Sequence, residues 1–336
     1  MLAGFYDITA GIAHTCAITT EFGVQCWGDN ALGQLGDGSN RDSNVPVDVV
    51  GLSSGVMIDA GGNHTCLLAG SDVWCWGENS EGQLGDGTTK DSNVPVHVLS
   101  GAFSISAGLD YTCATMLTGQ VMCWGNNSDG QLGDDTTTDH SKPVVATLLE
   151  DIAGVDAGQG QNCGLTPDGL VSCLVAQIVE TIGGFVPVTG ADPEPNREVQ
   201  ANRFGQEVVA INRAGNPVTF SGEDVELISQ VSGAVQADSG VGHVCSLLGS
   251  GAVKCWGANN FGQLGNNASA SSDDPVTVVN LSGAADMGVG ENHACVIVPT
   301  DALGLSVQIA CWGLNTNGQL GNGSTSNSRV PVWVIE

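Results

Sequence analysis

The feature that most limits the possible fold is a repeat of about 48 residues. Cys-Trp-Gly occurs at residues 26–28, 75–77, 123–125, 255–257 and 311–313. Gly-Gln-Leu-Gly follows at residues 33–36, 82–85, 130–133, 262–265 and 318–321. A proline, followed by valine, lies 19 residues after the tryptophan in all five units, at Pro46, Pro95, Pro143, Pro275 and Pro331. This fixed spacing indicates one supersecondary unit that has been copied along the chain.

Two divergent copies are expected between the third and sixth units. Leu174 follows Cys173 at the tryptophan position, and Pro187 supplies an early closing pair with Val188. Residues 208–222 align with residues 243–257, which predicts Val208 at the histidine position, Ala210 and Phe220 at the cysteine positions and Ser221 at the tryptophan position. The chain is then one domain, 1–336, with units that begin near residues 5, 56, 103, 152, 198, 234 and 284, of which those over 152–233 are divergent.

Short β-forming runs separated by glycine-rich turns fill each unit, and no stretch has helical periodicity. Small sheets that cannot bury both faces alone are stable when they stack around an axis. The sequence therefore predicts an all-β, seven-bladed β-propeller. The last strand, within residues 330–335, is expected to pair beside residues 5–9, so that the ring is closed by pairing of the N- and C-terminal strands.

The full repeat reads Ala-Gly-x-x-His-Thr-Cys, then Cys-Trp-Gly-x-Asn-x-x-Gly-Gln-Leu-Gly-Asp-Gly-Thr. It resembles the repeats of the regulator of chromosome condensation family, and above all their cysteine-bearing, bacterial extracellular form. The resemblance is strong over residues 1–149 and 235–336 and weak over 174–230. It implies a propeller that serves as an interaction module. It does not imply a nucleotide-exchange role, because only the scaffold of the repeat matches.

The 12 cysteines fall two to a unit in six of the seven units. Their spacing suits opposed positions across a hairpin, for instance around a two-residue turn at Gly70–Ser71. The predicted disulfides are Cys16–Cys26, Cys66–Cys75, Cys113–Cys123, Cys163–Cys173, Cys245–Cys255 and Cys295–Cys311, with free buried thiols as the alternative. Disulfides of this number indicate an oxidising location, which is extracellular, periplasmic or at the cell surface.

The charge is strongly acidic, with 36 Asp and Glu against 8 Lys and Arg and a net charge of −28. Nucleic acid and anionic membrane surfaces are therefore poor partners. No run of 18 apolar residues is present, so membrane insertion is not expected. The protein is expected to be a monomer. The acidity either keeps the surface hydrated or attracts cations or a basic partner.

The fourth and fifth units lack the complete Gly-Gln-Leu-Gly loop, which predicts a notch in one rim of the ring. The same stretch carries Arg197, Arg203 and Arg213, a basic cluster that could bind an acidic partner. The alternative is drift in blades that only keep the ring closed. Trp74 and Trp333 lie outside the register of the repeated tryptophans and are candidate exposed ligand contacts.

The loop aspartates form a second candidate site, because oxygen-rich loops can hold calcium. These residues recur in pairs, Asp37 with Asp42, Asp86 with Asp91, and Asp134 with Asp139. Aspartate is also a residue that such turns use for their own backbone. Histidines recur two residues before a cysteine, at His14, His64, His243 and His293, and either form a metal-binding ring or have a structural role. Calcium is the one possible cofactor.

Catalytic motifs are missing from the sequence. The predicted function is that of a secreted or cell-surface module that binds a protein or glycan. The alternatives are an extracellular polysaccharide hydrolase or lyase, with acidic residues at the axial mouth, and a structural domain of a larger adhesin. A buried carboxylate pair with raised pKa values would favour the enzyme.

Overall fold

A computed structural model describes residues 5–19, 21–149, 154–159, 161–165, 171–175, 178–182, 196–201, 207–212, 215–221, 224–301 and 306–335. Within these ranges the chain forms strands and turns and no helix, so no helix could cross a membrane there. The strands form seven four-stranded sheets, and each sheet consists of four consecutive antiparallel strands. Each sheet is one blade of a ring.

The strands of the first blade are β1 (Phe5–Ala10), β2 (His14–Thr19), β3 (Val24–Gly28) and β4 (Ser43–Asp48). The second blade has β5 (Gly55–Ala60), β6 (His64–Ala69), β7 (Asp72–Gly77) and β8 (Ser92–Ser100). The third has β9 (Ala102–Ala107), β10 (Tyr111–Met116), β11 (Val121–Gly125) and β12 (His140–Val145). The fourth has β13 (Gly154–Ala157), β14 (Gln161–Leu165), β15 (Val171–Val175) and β16 (Ile178–Ile182).

The fifth blade has β17 (Asn196–Ala201), β18 (Glu207–Asn212), β19 (Pro217–Ser221) and β20 (Asp224–Leu227). The sixth has β21 (Ala234–Gly240), β22 (His243–Leu248), β23 (Val253–Gly257) and β24 (Ser272–Thr277). The seventh has β25 (Asp286–Val289), β26 (His293–Pro299), β27 (Val307–Gly313) and β28 (Ser328–Trp333).

The cysteines lie directly opposite each other in the second and third strands of six blades. All six predicted disulfides form, each with Cα atoms 4.1 Å apart, and no cysteine is free. The turn at Gly70–Ser71 is present as predicted, since Ala69 pairs with Asp72 and Gly70 has a φ of 66°. A positive φ at the first turn position suits glycine and matches the twist of the two strands.

The core lies between the blades. The disulfides of the first three, sixth and seventh blades pack against the next blade. For example, Cys16 and Cys26 share one apolar cluster with Leu67 and Trp76 of the second blade. Trp27, Trp76, Trp124 and Trp312 are fully buried at these joints. These four repeated tryptophans are therefore scaffold residues.

The predicted closure of the ring by pairing of the N- and C-terminal strands is wrong. β1 pairs with β2 and β28 pairs with β27, each inside its own blade. The first and seventh blades meet by packing, with Ile8 and Trp27 in one cluster with Ile297 and Leu320. The physical reason is the phase of the repeat: each blade takes all four strands from one unit, which leaves no strand to share. The ring closes through the same joint that links its other blades.

The fifth blade departs by one residue from the register that the sequence alignment predicted. Val209 pairs with Thr219, and Ile211 pairs with Pro217 at the end of the hairpin. The first blade has the same arrangement, with Cys16 opposite Cys26 and Ile18 opposite Val24. Val209 and Thr219 thus occupy the cysteine positions.

The prediction that Ala210 and Phe220 take those positions is therefore wrong. The predictions that Val208 takes the histidine position and Ser221 the tryptophan position are wrong by the same shift of one residue. The physical reason is the two-residue period of a strand. Val209 and Ile211 are both buried against Trp256 of the sixth blade, and a shift by one residue would turn this face away from the joint.

Candidate functional site

Five blades carry a long connection, here called the glycine loop, between their third and fourth strands. These loops are residues 29–42, 78–91, 126–139, 258–271 and 314–327. In the first of them the buried side-chain amide of Asn30 donates to Asp37 Oδ1 at 3.2 Å and to the carbonyl of Arg41 at 3.1 Å. Its oxygen accepts the N–H of Leu35 at 3.0 Å. One asparagine therefore holds the loop in shape from within.

The aspartates predicted as calcium ligands take part in this same network. Asp37 accepts the backbone N–H of Ser39 at 2.8 Å, and Asp42 accepts the N–H of Asn30 at 2.9 Å. Neutral Asn327 replaces the second aspartate in the seventh blade, where it accepts the N–H of Asn315 at 2.9 Å. The other predicted ligands make equivalent bonds, and they are Asp86, Asp91, Asp134 and Asp139.

These bonds explain the aspartates through the needs of the loop backbone. Among the residues that the structure describes, no three His, Cys, Asp or Glu side chains are grouped as metal ligands. Calcium binding by the loops stays a prediction.

Each glycine loop also covers the following blade. The carbonyl of Gln34 accepts the indole N–H of Trp76 at 2.9 Å and the hydroxyl of Thr65 at 3.2 Å. Gly33, with a φ of 87°, lies so close to Asn93 that an added Cβ would be 2.6 Å from its Cα atom. Only glycine fits such an approach. We call this receiving surface on the next blade a loop seat.

The same contact recurs around the ring. The indole N–H groups of Trp27, Trp124 and Trp312 donate to the carbonyls of Gln319, Gln83 and Gln263, at 3.0, 2.9 and 2.9 Å. Each of these tryptophans has no exposed surface. The glycine loop is therefore a structural clasp between neighbouring blades.

The fourth and fifth blades have no glycine loop. Only residues 176–177 separate β15 from β16, and only residues 222–223 separate β19 from β20. The sixth blade, which follows, still has its tryptophan. Trp256 is 8% exposed, and its indole N–H donates no hydrogen bond to a described residue. The loop seat of the sixth blade is thus open.

A cavity of about 330 Å³ marks this open seat. It is lined by Thr219, Ile228, Gly242, His243, Val244, Trp256, Gly257 and Asp273. Val244 stands where Thr65 stands in the second blade, and a hydroxyl there would have no glutamine carbonyl to bind. Asp273 stands where Asn93 lies under Gly33, and it is exposed. Sequence reasoning located the shortened blades but did not identify this cavity, although the combination of a missing loop and a retained tryptophan indicates it.

The repeated histidines have a structural role in three of the four blades that carry them. Each is buried, and its Nε2 bonds the threonine hydroxyl of the next blade, in the pairs His14–Thr65, His64–Thr112 and His293–Thr15 at 3.0, 2.9 and 2.9 Å. His243 differs because Ala294 replaces that threonine, and its Nε2 has no partner in the described part of the chain. Burial lowers the pKa of His243 to about 4, so it is neutral at pH 7.

The axis of the ring is a second cavity, of about 470 Å³, lined by the innermost strands. Its wall includes the carboxylates of Asp7, Asp59, Asp156 and Asp238. Carboxylates of the inner strands bind the next blade: Asp7 accepts the N–H of Ile58 at 2.9 Å, Asp59 that of Ala107 at 2.8 Å, Asp238 that of Val289 at 2.8 Å, and Asp286 that of Ile8 at 3.1 Å.

Burial has a strong effect on two of these carboxyls. The pKa of Asp7 is raised to about 8, first by burial and then by the neighbouring carboxylates of Asp286 and Asp59. Burial likewise raises the pKa of Asp286 to about 6. Asp7 therefore holds a proton at neutral pH. The pair has the raised pKa values of a general acid, but its oxygens are already bound to backbone amides.

Three of the other predicted binding residues lie in described strands. Trp74, in β7, is half-buried and contacts the ring of His97 edge-on at 5.1 Å between centroids. Trp333, in β28, is 47% exposed. Arg197 belongs to β17, while Arg203 and Arg213 lie outside the described residues. Trp74, Trp333 and Arg197 belong to strands of three different blades, and their binding role stays a prediction.

The fold is that of known propellers. The chain is similar to yeast RCC1 (Prp20) in its complex with Kap60, with 18% identity, a TM-score of 0.54 and coverage of 99% of this chain and 75% of that chain. A second structure of Prp20p, from Saccharomyces cerevisiae, gives 19% identity, a TM-score of 0.54 and coverage of 99% and 77%. Human WBSCR16 gives 17% identity, a TM-score of 0.52 and coverage of 99% and 82%. At such identities the likeness shows the fold alone.

The family is shown by the repeats themselves. A model of the regulator of chromosome condensation (RCC1) repeat matches residues 23–68, 71–115, 118–165, 250–297 and 308–335. A second model of that repeat matches residues 5–34, 58–83, 104–131 and 234–263. The matched residues make up more than half of the sequence, and both sets leave out residues 166–233, where the glycine loops are missing. This chain belongs to the regulator of chromosome condensation (RCC1) repeat family.

Proposed function

We propose that this propeller is a protein-interaction module that works in an oxidising compartment and binds its partner where glycine loops are missing. The observation that carries the proposal is the open loop seat of the sixth blade. The indole N–H of Trp256 has no acceptor among the described residues and lies beside a cavity of about 330 Å³, on a surface that the other described joints keep covered. Pockets with an aromatic wall and a few polar groups are typical of binding sites.

The scaffold suits a binding role. Six disulfides brace six of the blades, so the ring loses little conformational entropy when it binds. The same disulfides support an extracellular, periplasmic or cell-surface location, because disulfides persist in oxidising compartments.

The related structures support a protein as the class of ligand. Yeast Prp20 was crystallised bound to Kap60, and its structure is described together with its binding to Gsp1p and histones. We carry over only that class, since this chain shares the scaffold at 18–19% identity. The strongly acidic surface supports a partner with basic residues at its contact surface.

Affinity capture from the native extracellular milieu tests the proposal. The intact protein is compared with the triple variant R197A/R203A/R213A and with the seat variant W256F. The matched control R41A/K90A/K142A removes the same positive charge from the first three blades. We expect a defined partner to be retained by the control and weakened by at least one of the other two variants. Retention of no partner by the intact protein would contradict the proposal, and glycan binding would then be screened on an array.

One observation favours a second function, that of a polysaccharide hydrolase or lyase. Asp7, at the axial cavity, and the neighbouring Asp286 form a buried carboxyl pair with raised pKa values. Release of reducing ends or unsaturated sugars from acidic and neutral polysaccharides tests this function. Activity that is lost in both D7N and D286N would support it. A structural role within a larger adhesin is the interpretation that follows if neither binding nor turnover is found.

A further inference from the structure

We infer that the open loop seat binds a glycine-flanked turn of the partner protein, which supplies one main-chain carbonyl, one leucine-sized side chain and one basic residue. This inference rests on the proposed function and names the chemistry of the partner. Its basis is that the ring builds the same joint complete at other positions. Those joints show what occupies a seat.

The carbonyl is required by the tryptophan. In covered seats the indole N–H donates to a glutamine main-chain oxygen, as Trp76 does to Gln34 at 2.9 Å. Trp256 presents the same group beside the cavity without a described acceptor. This N–H is not among the fully buried groups that lack a partner, so a carbonyl from a ligand would replace water there and contribute one net hydrogen bond.

The leucine is required by the shape of the cavity. In the first joint the fully buried Leu35 packs in one cluster with Val49, Cys26 and Trp76. Ile228 corresponds to Val49, because each donates its N–H to the carbonyl at the start of the third strand of its blade, at 2.9 Å. Thr219 corresponds in the same way to Cys26 by register. The cavity therefore lies where the leucine of a glycine loop would be.

The basic residue is required by Asp273. In the second blade the equivalent Asn93 donates to the side chain of Asn40, in the covering loop, at 2.9 Å. The other covered seats have Asn44, Ser141 and Arg329 at this position, and none of these is acidic. The open seat alone among them presents a carboxylate, with Asp274 next to it. A lysine or arginine at the loop position of Asn40 would meet that carboxylate.

A second copy of this chain is a poor occupant. Its loops with Gly-Gln-Leu-Gly already cover their own neighbours, and even the third loop does so, since Asn162 donates to the carbonyl of Gln131 at 3.4 Å. A second copy would have to open one of its own joints to supply a turn. The occupant is therefore a different polypeptide.

Cyclised peptides that copy the glycine loop of the seventh blade are direct probes. Residues 313–328 carry no charged side chain, and Asn315 holds the loop through bonds to Asn322, Ser324 and Leu320. Thr325 corresponds to Asn40. Isothermal titration then compares three peptides: the natural sequence, Thr325→Lys, and Thr325→Lys with Leu320→Ala. Each is titrated into the intact protein, W256F, D273N and the control F103L, which alters an exposed aromatic side chain of the third blade.

We expect the Thr325→Lys peptide to bind about fivefold more tightly than the natural one, and this gain to vanish in D273N. Leu320→Ala should weaken binding about tenfold or more. W256F should weaken it about fivefold, and F103L should leave it unchanged. Absence of binding by both leucine-bearing peptides at about 1 mM, or equal binding to W256F and intact protein, would overturn the inference.

The two proposals fail in different ways. A partner that is captured from the native milieu, but is held equally by W256F and D273N, leaves the proposed function standing and overturns the seat. Peptide binding that responds to both variants, with no partner captured, supports the seat chemistry and counts against the function. Thermal melts of W256F and D273N show whether each variant is folded.

Discussion

The pKa of Asp7 shows how strongly the axial cavity disfavours a charged carboxylate. It faces the carboxylates of Asp286 and Asp59, and the N–H groups of Ile58 and Ile8 offset only part of the effect. Burial, first of all, raises its pKa from 3.8 to about 8. Because the folded value lies above the unfolded one, this group contributes its full stability below about pH 4. That contribution is lost as the pH rises through about 8.

The variant Asp7→Asn should therefore stabilise the protein at high pH. Asparagine keeps an oxygen that accepts the N–H of Ile58 and removes the charge. We expect the melting temperature to rise by roughly 5 °C at pH 8 and to change little at pH 4, measured by scanning calorimetry. Glu21→Gln, in an exposed turn, is the control and should change neither value. Equal shifts at both pH values would show that the effect is packing and not ionisation.

At the scale of the strand pair, the register of the fifth blade can be tested by adding the disulfide that it lacks. The double variant Val209→Cys/Thr219→Cys places two cysteines where the other blades have theirs. We expect a seventh disulfide to form on folding and to add about 2 kcal/mol of stability. Intact mass under non-reducing conditions, after alkylation of free thiols, measures its formation.

The matched control is Ala210→Cys/Phe220→Cys, the pair that the alignment predicted. Ala210 lies opposite Val218, and Phe220 lies opposite Val208, so these two positions do not face each other. We expect both thiols of the control to be alkylated. A disulfide in the control and none in the first variant would show that the fifth blade has the register predicted from the sequence.

This one-residue difference shows where prediction from the sequence ends. The propeller class and the six disulfides followed from repeated residues at fixed spacing. The fifth blade has no cysteine or tryptophan to fix its phase, and both alignments keep ten residues between the paired positions. The choice is made by the burial of Val209 and Ile211 against the sixth blade, which is a contact between units.

At the scale of the whole ring, the repeat pattern could predict neither how the ring closes nor the open seat. Whether the first and last strands pair depends on which strand begins a blade, and a periodic sequence fits either phase. The inner position of β1, at the axial cavity, decides it. The sequence did indicate that loops are missing before the sixth blade, but the cavity at Trp256 depends on how each loop covers its neighbour.

The net charge of −28 should set the salt dependence of stability. The ion pairs seen in the described residues are His97–Asp72 and His140–Asp134, at 3.7 and 2.9 Å, and surface pairs of this kind contribute little. Repulsion among the carboxylates therefore dominates, and salt screens it. We expect the melting temperature to rise by roughly 5 °C between about 20 mM and about 500 mM NaCl.

A comparison of calcium with magnesium distinguishes charge screening from calcium binding at the predicted loop sites. At matched ionic strength, CaCl₂ and MgCl₂ should raise the melting temperature equally if the carboxylates are only screened. A larger rise with calcium, lost in D37N/D42N, would show that the first glycine loop binds the ion. A melting temperature that falls as NaCl is added would contradict the argument from repulsion, because it would mean that attractive pairs, which salt weakens, outweigh the repulsive ones in this ring.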